Sequence, residues 1–98
     1  MTIIDFKQLL EKENPPTHLT PALKSLWYDA KGNWTKAHDI ADGGVFTDAN
    51  WIHAYLHRKE GDHWNANYWY RRAGKNMPTL TLEEEWENLV AYFLTNHS

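Results

Sequence analysis

Two histidines spaced four residues apart are the first candidates for chemistry in this 98-residue chain. His53 and His57 lie in a segment whose apolar spacing predicts a helix, so both imidazoles project from one face, as a metal-binding pair requires. Glu60 follows on a similar face, and His38 is expected on the helix packed alongside, as a candidate third ligand. The alternative is structural, because such a pair arises easily by chance among six histidines and both rings can hydrogen-bond to neighbours.

Positive side chains suggest a second candidate site, for a phosphate or a carboxylate. Arg58 follows His57 directly, and Arg71 and Arg72 end the next predicted helix. The planar guanidinium of arginine binds such anions through paired hydrogen bonds, and Tyr68 and Trp69 can stack on a planar ligand nearby. The alternative is that these cations form ion pairs with the nearby acidic residues Glu60, Asp62, Glu83, Glu84, Glu85 and Glu87.

Signatures of enzymes are absent from the sequence. The chain has no cysteine, which excludes disulfides, thiolate catalysis and cysteine-based zinc sites. Ser25 and Ser98 lack the surroundings of a nucleophile elbow, there is no glycine-rich phosphate loop, and the histidine pair is not the His-Glu-x-x-His motif. Helix capping explains the carboxylates Asp39 and Asp42. The sequence therefore favours a non-catalytic protein whose one candidate cofactor is a divalent metal ion.

Composition limits the classes of partner. The net charge of −3, with both signs mixed along the chain, argues against a general nucleic-acid binder, which carries a basic stripe. The first residues lack the regions of a signal peptide, and no apolar run approaches the roughly 18 residues of a membrane span. We therefore expect a cytoplasmic protein without nucleic-acid or membrane partners. Six tryptophans and five tyrosines supply either a dense core or a ligand pocket or oligomer interface.

Helical periodicity predicts a single all-α domain over residues 1–98. A short amphipathic helix is expected within residues 2–13, followed by a first helical hairpin at about 20–44 and a second at about 48–75. A C-terminal helix is expected at about 81–95. The outer two helices would cap the paired hairpins.

Start and stop signals set these boundaries. Thr20-Pro21 and the Thr81–Glu84 capping box each begin a helix, while Gly32 breaks the first hairpin and Asp42-Gly43-Gly44 ends it. The first helix of the second hairpin has three candidate capping residues, namely Thr47, Asp48 and Asn50.

An internal repeat is the most specific signal in the chain. At an offset of 29 residues Gly32 aligns with Gly61, and Ala37 aligns with Ala66. The small alanines would let the two helices of each hairpin approach closely. A repeated hairpin cannot bury its own apolar face and must stack on a neighbour.

The residues from Gly61-Asp62 through Ala66 and Tyr70 to Ala73 resemble the second half of a tetratricopeptide (TPR) unit, and 66–73 also resembles its Sel-type variant. The first hairpin matches less well, because Gly44 falls at the place of Ala73, and the period is shorter than the about 34 residues of a TPR. Residues 53–62 and 68–74 are similar to a family of short uncharacterised microbial proteins. The resemblance covers roughly residues 20–75 and implies TPR-like hairpins that bind a protein or peptide.

Two functions follow as expectations. The first is a TPR-like interaction or scaffold module that binds a protein or peptide segment and self-associates, as a homodimer. The alternative is a small protein or enzyme that binds a metal ion or an anion and is centred on His53 and His57. The candidate ligand-binding residues are His38, His53, His57, Arg58, Tyr68, Arg71 and Arg72, of which His53 and His57 are the metal candidates.

Overall fold

The structure is a computed structural model that describes residues 1–43, 46 and 48–95. Within these residues the chain is helical and contains no strand, which confirms the all-α prediction. None of these helices combines the length and apolar character that crossing a bilayer requires. The helices are α1 (Ile3–Gln8), α2 (Pro21–Ala30), α3 (Trp34–Asp42), α4 (Ala49–Lys59), α5 (His63–Arg72) and α6 (Leu82–Thr95).

Capping residues begin most helices where the sequence predicts. The side chains of Thr20, Asn33 and Asp62 each accept a hydrogen bond from a backbone N–H of the first turn that follows. Thr81 and Glu84 form the reciprocal capping box before α6, with N···O distances of 3.0 and 3.1 Å. Each cap satisfies a donor that the helix itself leaves free, and such a cap is worth about 1 kcal/mol.

Three boundaries differ from the prediction or involve residues outside the described ranges. The N-terminal helix is shorter than residues 2–13, because α1 tightens into a 3-10 turn at Leu9–Glu11. Asp48 precedes α4 with a left-handed backbone (φ 65°), and its side chain makes no capping hydrogen bond. Gly44 and Thr47, the predicted end of the first hairpin and one candidate cap, lie outside the described residues.

Glycines reverse the chain between α2 and α3 and between α4 and α5. Gly32 and Gly61 have φ values of 84° and 86°, in the left-handed region where a Cβ atom is strongly disfavoured. The following residues, Asn33 and Asp62, donate their backbone N–H groups back to the carbonyls of Tyr28 and His57 and close the preceding helix. The predicted breaks at both glycines are confirmed.

Small buried residues let neighbouring helices pack closely. Ala37 and Ala66 are both fully buried, as the repeat predicts. α2 packs on α3, α3 on α4, and α4 on α5. The hydroxyl of Ser25 on α2 also donates to the carbonyl of Ala37 on α3 at 2.8 Å. The packing of α3 on α4 brings together the two helices that carry His38, His53 and His57.

The C-terminal helix packs across α2 and α4 rather than only ending the row of helices. The Trp86 indole donates to the Leu26 carbonyl at 3.1 Å, and Leu89, Val90 and Phe93 are fully or almost fully buried. The face that α2 and α4 share is therefore covered by the chain's own α6, which leaves the outer sides of α3 and α5 for contact with other molecules.

Candidate metal centre

Three histidines meet where α3 packs on α4. The Nε2 atoms of His38 and His53 lie 3.0 Å apart, and the His57 ring stacks on His53 with centroids 4.9 Å apart. One ring nitrogen from each of the three residues lies within 4.8 Å of the others. The structure thus brings together the predicted pair, His53 and His57, and the predicted third ligand, His38.

His53 is the buried member of this cluster, with 3% of its surface exposed. Burial, followed by the neighbouring imidazoles of His38 and His57, lowers the pKa of His53 from 6.5 to about 4, while Asp42 opposes the shift. The ring is consequently neutral near pH 7. A neutral imidazole has the lone pair that a metal ion requires.

A carboxylate orients the ring of His57. Its Nδ1 atom lies 2.8 Å from Oε1 of Glu60, three residues further along the chain. This contact favours a proton on Nδ1 and leaves the lone pair on Nε2. Metal-binding histidines commonly have such a partner, which sets the tautomer and raises the basicity of the ligand. The sequence placed Glu60 on a face similar to that of His57, and the structure shows that the two side chains meet.

Two tryptophans flank the histidine cluster. From the sequence, Trp69 was a candidate for stacking on a planar ligand, and Trp34 was not a site candidate. The Trp69 ring of α5 stacks on His53 with centroids 3.9 Å apart, and Trp34 of α3 stacks on His38 at 4.8 Å. The Trp34 indole also donates to the Leu56 carbonyl at 2.8 Å, which holds it against α4. The four-residue spacing of Trp34 and His38 was a usable signal, whereas the Trp69 contact required the packing of α5.

The chemistry of the three ligands limits which ions fit. Imidazole nitrogens suit zinc, copper, nickel, cobalt and iron, whereas magnesium and calcium prefer oxygen ligands. A second group of donors, His57, Glu60 and Asp62, also lies within 4.8 Å but contains the exposed Glu60 and shares His57 with the first group. The group of His38, His53 and His57 is the better transition-metal site because it is more buried and uses nitrogen throughout.

Arg58 points away from the histidines, toward α6. Its Nη1 atom lies 2.8 Å from Oε1 of Glu85, and its other terminal nitrogen donates to the Leu80 carbonyl. The Arg58 and Glu85 side chains are 13% and 2% exposed, so this is a buried ion pair. The Tyr70 hydroxyl also donates to the Glu85 carboxylate. This is the ion-pair alternative considered for Arg58.

The remaining candidate residues lie on α5. Arg71 and Arg72 are exposed at its C-terminal end, and the Arg72 guanidinium lies over the rings of Tyr68 and Trp69 at 5.7 and 5.3 Å. Arg72 also donates to the Tyr68 hydroxyl at 3.4 Å. Arg58 and Arg72 thus have separate partners, one inside the protein and one on its surface.

Comparison of the chain with protein-family models, with curated proteins and with solved structures finds no match. The geometry of the histidine cluster is therefore the basis for assigning a function.

Proposed function

We propose that this protein binds one divalent transition-metal ion through His38, His53 and His57. The observation that carries the proposal is the convergence of three imidazoles from two packed helices, with their ligand nitrogens within 4.8 Å of one another. A helical interface is packed more favourably by apolar side chains than by imidazole rings, so packing alone is a poor explanation for three histidines at this place. The low pKa of His53 keeps its ring neutral, and the contact of His57 with Glu60 leaves the lone pair on Nε2 of His57. Both features favour binding of a metal ion.

Metal binding would join α3 to α4, because the three ligands come from both helices. An ion that binds the folded chain but not the unfolded chain adds about 2.7 kcal/mol of stability when its concentration is 100 times its dissociation constant. The bound ion would thus act on the folding equilibrium as well as on any ligand it recruits. Zinc, cobalt and nickel are the ions to test first, since each binds imidazole well.

Titration calorimetry on protein freed of metal by a chelator tests the proposal. Zn²⁺ should bind with one ion per chain, and His38→Ala and His57→Ala should each weaken binding at least about tenfold. These two residues are preferred for substitution because they are partly exposed, whereas His53 is buried. His63→Ala, at an exposed histidine outside the cluster, is the matched control and should bind zinc like the wild type.

The proposal would be wrong if wild-type protein bound no zinc, cobalt or nickel, or if His63→Ala weakened binding as much as the cluster variants. Elemental analysis of protein purified without metal-chelating resins is a second readout. It should find an amount of metal close to one ion per chain in the wild type and much less in the double variant His53→Ala/His57→Ala.

We further propose that the pairs α2–α3 and α4–α5 are two tandem TPR-like hairpins. The buried Ala37 and Ala66 and the two left-handed glycines support this arrangement. In such an arrangement, the histidine cluster lies at the junction between the first and the second hairpin. The metal ion would then hold one repeat unit against the next.

A second candidate function is an interaction module that uses the outer face of α5. Trp64 is 76% exposed and Tyr68 is 43% exposed, and their rings stack with centroids 6.3 Å apart. Large exposed aromatic side chains mark contact sites on many proteins. Because α6 covers the face shared by α2 and α4, a protein segment or a second copy of this chain would bind here.

Sedimentation velocity tests self-association through this face. The wild type should sediment as a homodimer, and Trp64→Ser combined with Tyr68→Ser should sediment as a monomer. Ile4→Ser is the control, since Ile4 is an apolar side chain of α1 that is 70% exposed. A monomeric wild type at high concentration would rule out the dimer, and a protein partner would then be the remaining occupant.

A further inference from the structure

Asp42 is a carboxylate in an unfavourable position for a helix residue. It is the last residue of α3, where the free backbone groups are carbonyls and the helix dipole favours positive charge. A carboxylate accepts hydrogen bonds but does not donate them, so Asp42 cannot cap this end. The capping explanation for Asp42 from the sequence therefore fails, and the carboxylate requires another reason.

Asp42 lies beside the histidine cluster. Its Oδ1 atom is 4.0 Å from Nε2 of His53, and its side chain is 61% exposed. It follows His38 by four residues on α3, just as His57 follows His53 by four residues on α4. Each helix thus offers two metal-ligand side chains one turn apart on one face, His38 with Asp42 and His53 with His57.

Two of the separations between ligand atoms can be compared with those of a tetrahedral site. Zinc bonded to nitrogen at about 2.0–2.1 Å in a tetrahedron holds its ligand atoms about 3.3 Å apart. The observed separations are 3.0 Å between His38 and His53 and 4.0 Å between Asp42 and His53. Asp42 is not among the donors whose ligand atoms all lie within 4.8 Å of one another, so its exposed side chain must rotate toward His38 and His57 to complete the site.

We propose that Asp42 is the fourth ligand of the metal ion, which makes the site a closed, four-coordinate site for zinc. This inference rests on the proposed metal binding by His38, His53 and His57. Three imidazoles and one carboxylate leave no coordination position for a water nucleophile, so the ion joins α3 to α4 and does not catalyse hydrolysis. Its positive charge also accounts for a carboxylate at the negative end of α3.

Glu60 is the competing carboxylate, and its geometry gives it a different role. Its Oε1 atom lies 2.8 Å from Nδ1 of His57, so it contacts the ring nitrogen that faces away from a metal bound at Nε2. Glu60 is therefore a positioning residue for His57. Asp42, in contrast, lies 4.0 Å from Nε2 of His53, the ring nitrogen that also faces His38.

Cobalt spectroscopy tests this assignment, because four-coordinate Co²⁺ absorbs visible light much more strongly than six-coordinate Co²⁺. Wild-type protein loaded with Co²⁺ should give the strong spectrum. Asp42→Asn should weaken Co²⁺ binding at least about tenfold and change the spectrum. Asp39→Asn is the matched control, because Asp39 is also an exposed aspartate of α3, one turn before Asp42. This variant should bind Co²⁺ like the wild type.

The outcomes separate the two proposals. If wild-type protein takes up no cobalt, the three-histidine site itself is wrong, and the role of Asp42 is rejected with it. If cobalt binds and requires His38 and His57, but Asp42→Asn keeps the wild-type affinity and spectrum, only the fourth-ligand assignment is wrong. A weak, six-coordinate spectrum in the wild type would also reject the closed site while leaving three-histidine binding intact.

Discussion

Replacing Arg58 with methionine should strongly destabilise the protein, because it leaves a buried carboxylate without its cation. Glu85 is 2% exposed, and its pair with Arg58 has an N···O distance of 2.8 Å. Removing one partner of a buried ion pair typically costs about 3–5 kcal/mol. Tyr70 and Trp51 still donate to the Glu85 carboxylate in the variant, so we expect the lower end of this range.

Urea unfolding measures this effect. Arg58→Met should lower the free energy of unfolding by about 3 kcal/mol, out of the roughly 5–15 kcal/mol that stabilises a typical domain. The melting temperature should fall by at least about 12 °C, since 1 kcal/mol corresponds to about 4–8 °C in a domain of this size. Arg71→Met is the matched control at an exposed arginine and should change stability by no more than about 0.5 kcal/mol.

A double-mutant cycle identifies the cause. If the cost arises from the pair, Arg58→Met with Glu85→Met should destabilise less than the sum of the single variants, by about 1–3 kcal/mol. The reasoning is refuted if Arg58→Met costs less than about 1 kcal/mol, or if the two effects simply add. Either result would return Arg58 to the candidate anion-binding residues.

Three further changes test other contacts. In metal-free protein, the free energy of unfolding should fall by up to about 3 kcal/mol between pH 6.5 and pH 4, because the pKa of His53 is lower in the folded chain than in the unfolded chain. The contribution of His53 is fully present above pH 6.5. In His53→Asn, the free energy of unfolding should no longer show this dependence on pH. Ala66→Leu should cost about 1–3 kcal/mol in urea unfolding by overpacking α4 against α5, whereas the exposed Ala30→Leu should not. Tyr55→Phe should cost about 1.5–3 kcal/mol in thermal unfolding, since its hydroxyl donates to the buried Asp29 at 2.8 Å, and a neutral result would contradict that role.

Local signals predicted the helices well. A capping oxygen, a proline in the first turn and a left-handed glycine each act within a few residues, so their effect depends little on the rest of the fold. Thr20, Thr81, Gly32 and Gly61 accordingly mark boundaries that the structure confirms. The N-terminal helix was predicted too long because apolar spacing alone does not distinguish an α-helix from a 3-10 turn.

Part of the histidine cluster also followed from the sequence. The spacing of His53 and His57 on one helix was sufficient to place them on one face, and the predicted neighbouring helix was sufficient to suggest His38. Asp42 was misread, because the sequence suggested a capping role that its place at the end of α3 excludes. The stacking of Trp69 on His53 was not predicted, since it depends on how α5 packs.

The sequence by itself determined the helical class, the glycine turns and the shared face of the two α4 histidines, because these features depend on residues within one or two turns. Only the tertiary structure decided which neighbouring helices His57 and Arg58 face. These adjacent residues point in different directions about α4, one toward α3 and the other toward Glu85 of α6. Which neighbour each side chain meets depends on how helices distant in sequence pack, and that packing is set by the whole core.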